Sequence, residues 1–137
     1  MKIGFACGIF DLFHAGHVLM LKECKSKCDY LIVAVNSGKN IDLRINPGKT
    51  KPVFNLEERK LIVAACRYVD KVVEYSSEEE LLALLVNLKI NIRFLGDDYK
   101  GRPITGSNLP IEINYTDRSH GLSTSGYLKA IRNQNNS

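Results

Sequence analysis

The sequence predicts an α/β protein in which a doubly wound parallel sheet of five strands forms the middle of three layers. Three observations predict it. Short apolar runs alternate with segments of helical period along the whole chain. Residues 30–35, Tyr-Leu-Ile-Val-Ala-Val, are apolar throughout and dense in β-formers, as in a parallel strand covered on both faces. Capping signals at Asn55 to Glu58 and at Ser77 to Glu80 open helices between the apolar runs. Such alternation implies right-handed crossovers, with helices on both faces of the sheet.

Each element has its own signal. Residues 3–7 read as the first strand, stopped at Gly8, and residues 16–28 carry Leu21, Cys24 and Cys28 at helical spacing. After the strand at 30–35, residues 36–52 form a long polar loop punctuated by Gly38, Pro47, Gly48 and Pro52, with Lys39, Arg44, Lys49 and Lys51 among them. The helix opened at Asn55 runs to about Cys66, and residues 69–75 return as a strand. Ser77 starts a helix bearing Leu81, Leu84, Leu85 and Leu88, and residues 91–95 form a strand ending at Gly96. A second polar loop spans 101–110, residues 111–115 alternate as the last strand, and Ser123 caps a short helix with Tyr127, Leu128 and Ile131. Residues 1–132 are expected to form one domain and 133–137 a frayed tail.

Composition narrows the function classes. With 137 residues, 45% hydrophobic and 25% charged, the chain has the make-up of a globular domain and not of a disordered one. Its apolar runs fall far short of the roughly 20 residues that span a bilayer, and no cleavable leader is visible, so a cytoplasmic location and no membrane partner are expected. Nineteen Lys and Arg against fifteen Asp and Glu favour anionic partners, without the dense basic stripe of a nucleic-acid binder. Small phosphates fit better than polymers. Cys7, Cys24, Cys28 and Cys66 lack CxxC spacing and are expected to be reduced, structural thiols.

In a doubly wound sheet, ligands collect beyond the carboxyl ends of the strands, which selects residues 8–17, 36–52, 96–106 and 118–125. His14-Ala15-Gly16-His17 opens a helix, where free N–H groups and the helix dipole attract an anion and two imidazoles add donors. The chain has only three histidines, and the third, His120, lies at another strand end within Arg118-Ser-His-Gly-Leu-Ser-Thr-Ser125. That segment offers a guanidinium, hydroxyls and N–H groups to phosphate oxygens. The plainer alternatives are a capping histidine and a Ser N-cap. No Walker loop or GxGxxG fingerprint is present.

Gly8-Ile-Phe-Asp-Leu-Phe-His-Ala-Gly-His17 resembles the GTFDxxHxGH signature of the cytidylyltransferase-like nucleotidyltransferases. Arg118 to Ser125 resembles their RTxGISTT segment, and Arg67-Tyr-Val-Asp70 and Gly96-Asp-Asp-Tyr99 are similar to further segments of bacterial glycerol-3-phosphate cytidylyltransferases. Ile9 stands where that family usually has Thr, Ala15 where it has a bulkier residue, and His120 where an acid is common. The resemblance implies a Rossmann-like homodimer that transfers CMP from CTP to glycerol 3-phosphate or a similar polyol phosphate and releases pyrophosphate. It assigns the backbone of Ile9 and Phe10, with Ala15 and Gly16, to the nucleotide phosphates. His14 and His17 would stabilise charge at the α-phosphate. Arg118, Ser123, Thr124 and Ser125 would hold the departing pyrophosphate, aided by Mg²⁺ carried on the nucleotide phosphates, and Ser119, His120, Gly121 and Leu122 would bind the nucleotide. Gly96 and Asp97 would border the base, one of Lys49 and Lys51 would bridge the two substrates, and Arg67 would lean over the site.

Duller readings stand beside these: Arg67 and Asp70 as a surface ion pair, Asp97 and Asp98 as turn residues, the lysines as solvated charges. Asp11 is read as a residue that orders its turn. Residues 44–59 and the 98–106 loop also resemble the nucleotidyl domain of ADP-heptose synthases, which use ATP and a sugar phosphate. Arg44 and Arg102 are assigned to the acceptor, Arg102 without a firm match to any family motif. A third reading is a nucleotide-binding module without turnover.

Overall fold

The computed structural model describes residues 1–39 and 51–134. Arg44 and Lys49 therefore lie outside the described residues. A five-stranded sheet, all parallel, has the order β3-β2-β1-β4-β5. Its strands are β1 (Ile3–Gly8), β2 (Tyr30–Asn36), β3 (Lys71–Tyr75), β4 (Ile92–Gly96) and β5 (Glu112–Thr116). The helices are α1 (Ala15–Ser26), α2 (Leu56–Ala64), α3 (Glu78–Asn87) and α4 (Thr124–Gln134). This is the doubly wound, Rossmann-like α/β architecture expected from the sequence.

The order follows from handedness. Right-handed crossovers carry the chain from β1 outward to β2 and β3 with α1 and α2 on one face, and the return through α3 to β4 puts α3 on the other. Two cores result. Ala6, Leu31, Val33, Val35, Ile92 and Phe94 pack with Leu21, Cys24 and Val63 on the α1/α2 face. Phe5, Ile32, Ala34 and Tyr75 pack with Leu81, Leu85 and Ile90 on the α3 face. β2 has five consecutive buried residues, the signature of a strand covered on both sides. Each large apolar side chain fully buried here contributes about 1.5–3 kcal/mol.

Several boundaries differ from the sequence reading by one to a few residues. β3 begins at Lys71 because residues 66–69 turn first, Val69 N–H bonding to the Cys66 carbonyl. α1 starts at Ala15 and ends at Ser26. A 3-10 turn at Asp97–Tyr99 opens the loop after β4. α4 continues to Gln134, two residues past the expected end of the domain at Arg132. The four cysteines are free, and burial pushes the Cys24 thiol well up. No helix among the described residues is long and apolar enough to cross a membrane.

Strand order reverses between β1 and β4, so the carboxyl ends of these two strands diverge into a crevice. The segments after β1, β4 and β5 all arrive there.

Candidate active site

The β1 turn is built under strain. Phe10 (φ 54°) and Leu12 (φ 51°) both occupy the left-handed region, which costs a non-glycine residue about 1–3 kcal/mol and is held only where its surroundings insist. Those surroundings are two long-range ties. Asp11 accepts the N–H groups of Val53 and Phe54 at 2.7 and 2.9 Å, so it orders the turn as the sequence reading expects. Arg59, 1% exposed, donates to the carbonyls of Ile9 (2.9 Å), Asn36 (2.5 Å), Ser37 (2.9 Å) and Phe54 (3.0 Å). One guanidinium thus staples the ends of β1 and β2 to the start of α2. Sequence reasoning missed Arg59. The available signal was its i, i+4 spacing to Val63 on the buried face of a capped helix.

The spacing of the two histidines is explained by the helix they open. His14 is the N-cap of α1: its Nδ1 accepts the Gly16 N–H at 3.0 Å, while His17 Nδ1 accepts the His14 N–H at 3.1 Å. Two imidazoles here make the reciprocal pattern usually made by Ser and Glu, which fixes a separation of three. The capping alternative and the functional one therefore coincide in the same rings. Because both Nδ1 atoms accept, each neutral ring carries its proton on Nε2, leaving an N–H donor for a ligand. The ring centroids are 3.9 Å apart, and Phe10 and Phe13 flank His17 at 5.4 and 5.3 Å. Gly16 is required by this packing, since a Cβ there would lie 2.8 Å from His14 Cε1 and 3.0 Å from Leu122 Cβ.

Electrostatics keep both rings neutral. Burial, then the His14 ring and Arg118, lower His17 to about 4, against a small opposing pull from Asp11. Burial first, then His120 and Arg118, lower His14 as well.

The segment after β5 closes the other side. Arg118 N–H bonds to Asp97 Oδ2 at 3.4 Å, and its guanidinium lies 3.6 Å from Asp98 Oδ1. Gly96 makes room for it: a Cβ there would sit 2.5 Å from Asp98 Oδ1 and 3.0 Å from Arg118 Cδ. Asp97 and Asp98 thus face Arg118 as well as forming a turn. Ser119 is turned to Asp117, bonding it through both N–H and hydroxyl. His120 Nδ1 accepts the Leu122 N–H at 2.9 Å, which again leaves Nε2–H, and Gly121 takes φ 71°.

Ser123 is the plain N-cap, its Oγ accepting the Gly126 N–H at 3.0 Å. Thr124 donates its hydroxyl to the Asp11 carbonyl at 3.1 Å, tying α4 to the β1 turn. Tyr127 reaches back to within 5.0 Å of the His14 ring. Ala15 and Ser125 are exposed beside these helix N-termini. The imidazoles, Arg118 and two helix N-termini therefore meet.

Other expected residues lie elsewhere or at the rim. Lys51 is exposed, next to Pro52, which packs on Gly38 past the end of β2. Arg67 is exposed in a groove with Phe13, Val18, Ile62 and Tyr68, and its supposed partner Asp70 instead pairs with Lys25 at 2.5 Å. Arg102 is exposed in the loop after β4, near enough to Tyr99 to pull its hydroxyl down against the stronger effect of burial. No group of three or more His, Cys, Asp or Glu among the described residues is placed to hold a metal.

A family model described as cytidylyltransferase-like matches residues 5–126. The chain belongs to that cytidylyltransferase-like family. It is 33% identical over 135 residues to the bifunctional protein HldE of Campylobacter concisus, covering 98% of this chain and 28% of the relative. The HldE of Granulibacter bethesdensis is 35% identical over 135 residues, covering 96% of this chain and 27% of the relative. The chain thus spans just over a quarter of the length of the curated relatives it matches.

Among solved structures, a lipopolysaccharide core biosynthesis protein from Thermoplasma volcanium superposes with a TM-score of 0.66 at 26% identity, covering 85% of this chain and 95% of that one. Pantothenate synthetase from Thermus thermophilus shares the fold alone, with a TM-score of 0.59 at 14% identity, covering 95% of this chain and 65% of that one. Membership of the cytidylyltransferase-like family places the chain among the nucleotidyltransferases.

Proposed function

We propose that the chain transfers AMP from ATP to a sugar phosphate and releases pyrophosphate. The observation that carries the transfer chemistry is the pair of neutral, Nε2-protonated imidazoles at the N-terminus of α1, facing Arg118 and the N-terminus of α4 across the β1/β4 crevice. An oxygen of the acceptor phosphate attacks the α-phosphorus as the bond to the β-phosphate oxygen breaks, and no covalent enzyme intermediate is needed. His14 and His17 donate to the α-phosphate oxygens on which charge builds, and they do so without themselves changing protonation. Arg118, with the free N–H groups of Thr124 and Ser125 at the start of α4, receives the leaving pyrophosphate. Ile9, Phe10, Gly16, Gly96, Asp97, His120 and Leu122 shape the nucleotide side, while Ser119 and Ser123 act through the turns they hold. On the family resemblance one of Lys49 and Lys51 bridges the two substrates, and Arg44 and Arg102 are assigned to the acceptor.

Mg²⁺ belongs to this reading as a screen between the two polyanions. The chain's carboxylates nearest Arg118 are already turned to it, so the metal would ride on the nucleotide phosphates. A homodimer is part of the same reading.

ATP is favoured over the CTP and glycerol 3-phosphate that the sequence put first. The relatives named above are HldE proteins, the Thermoplasma structure bears the name of a saccharide-building protein, and residues 44–59 and 98–106 resemble ADP-heptose synthases. The test is pyrophosphate release with Mg²⁺, crossing ATP and CTP against sugar phosphates and glycerol 3-phosphate. Release with ATP and a sugar phosphate is expected. Release with CTP and glycerol 3-phosphate alone would restore the first reading, and none in any combination would overturn catalysis.

A further inference from the structure

α4 contributes no buried residue to the fold, and its Tyr127 and Ile131 are 38% and 54% exposed. Two side chains of its first turn nevertheless reach the segment between β1 and α1. Thr124 donates to the Asp11 carbonyl at 3.1 Å, and the Tyr127 ring lies 5.0 Å from the His14 ring, tilted by 50°. Three positions apart, the two share one face of the helix. Tyr127 also ends a row of rings: Phe13 stacks on His17 at 5.3 Å, His17 meets His14 at 3.9 Å, and His14 meets Tyr127. Rings attract at such separations and tilts. A side chain this exposed is no core residue, so the contact with His14 is the part of Tyr127 that carries information.

That contact joins two working parts of the crevice. In the proposed transfer, His14 faces the α-phosphate, while the N-terminus of α4 faces the leaving pyrophosphate. The positive end of α4 is left open for that anion. Its first turn, like that of α1, holds no acidic residue, whereas the first turns of α2 and α3 carry Glu57 and Glu58, and Glu78, Glu79 and Glu80. The α-phosphate and the pyrophosphate part along one line, so the groups that hold them must keep a fixed separation, and a misplacement of about 1 Å costs on the order of 100-fold in rate. With no buried side chain to anchor α4, the ties of its first turn set where the Thr124 and Ser125 N–H groups stand relative to the imidazoles.

We infer that Tyr127 is a positioning residue for the leaving pyrophosphate: its ring contact with His14 docks the first turn of α4 against the site. This rests on the transferase reading above and holds whichever nucleotide is used. The test compares wild type, Tyr127→Phe, Tyr127→Ala and Thr124→Val in the full chain. Calorimetric titration with magnesium pyrophosphate is run beside steady-state kinetics that vary nucleotide and acceptor separately. Tyr127→Ala should raise the pyrophosphate Kd and the nucleotide KM about 3- to 10-fold and leave the acceptor KM within about 2-fold. Tyr127→Phe, which keeps the ring, should restore both. Thr124→Val, which cuts the other tie, should move the same two constants by about 2- to 5-fold. Unfolding midpoints should stay near that of wild type, and a large fall in Tyr127→Ala would make the residue structural and overturn the inference. Wild-type pyrophosphate affinity in Tyr127→Ala, an equal rise in both KM values, or a Tyr127→Phe as impaired as Tyr127→Ala would each overturn it alone. A wild-type chain that turns over no pair of substrates would overturn the transferase reading, and this inference with it.

Discussion

His14 and His17 are recognisable in the sequence because two of the three histidines fall in one turn at a strand end. Their chemistry is another matter. Which nitrogen holds the proton depends on the N–H groups that each Nδ1 accepts, and those exist only once α1 has formed. Two outcomes belong to these residues. His17→Ala should lose about 10²–10³-fold in kcat while the chain still folds, at a cost of about 1 kcal/mol for the lost half of the α1 cap; retained turnover would remove the imidazole from the mechanism. The second concerns acid. His17 titrates near 4 when folded and near 6.5 when unfolded, so between those values the unfolded chain binds more protons and stability falls as pH drops. By pH 5 the loss from this group is about 2 kcal/mol, with His14 acting in the same direction. Urea unfolding at pH 7 and pH 5 should show the difference shrinking in His17→Gln; an undiminished difference would place the proton uptake elsewhere.

At the scale of elements, helix starts were the most legible feature because a cap is a conversation between residues three apart. Asn55 Oδ1 accepts the Glu58 N–H at 2.9 Å and Glu58 answers the Asn55 N–H at 3.1 Å, as the sequence pattern implies. Asn55→Ala should cost about 1 kcal/mol in chemical denaturation, and a cost near zero would mean that the surrounding ties, not the cap, start α2. At α1 a capping histidine stood only as the plainer alternative, and the reciprocal box of two imidazoles was not legible, since histidine is no favoured N-cap. The junction of β4 with the segment after β5 was also hidden. Gly96 looks like a simple strand stop, yet it is the space into which the Arg118 side chain folds. Gly96→Ala should therefore raise the nucleotide KM several-fold, on the order of 1 kcal/mol of lost transition-state binding, while the urea midpoint moves little. If the midpoint falls and the KM holds, Gly96 serves the sheet and not the arginine.

For the whole molecule, Arg59 is the residue on which several crossovers converge. Arg59→Met would leave four carbonyl groups without their donor and release the strained turn at Phe10, so a loss of about 3–5 kcal/mol in urea unfolding is expected. A loss under about 1 kcal/mol would show the turn to be held by Asp11 and packing instead. Neighbouring residues alone were enough to foretell the alternation of strands and helices, the parallel sheet buried on both faces, and the strand ends where anions would collect. Those features rest on periodicity, caps and turn residues, which act over a few positions of chain. Nothing so local could show that Thr124 would bond the Asp11 carbonyl, that Asp97 would hold Arg118, or that a buried arginine at position 93 would bond the Thr105 carbonyl. These contacts join residues that are remote in sequence, or carbonyls that every residue possesses. Only the packed sheet, by bringing the ends of β1, β4 and β5 together, selects which of them meet.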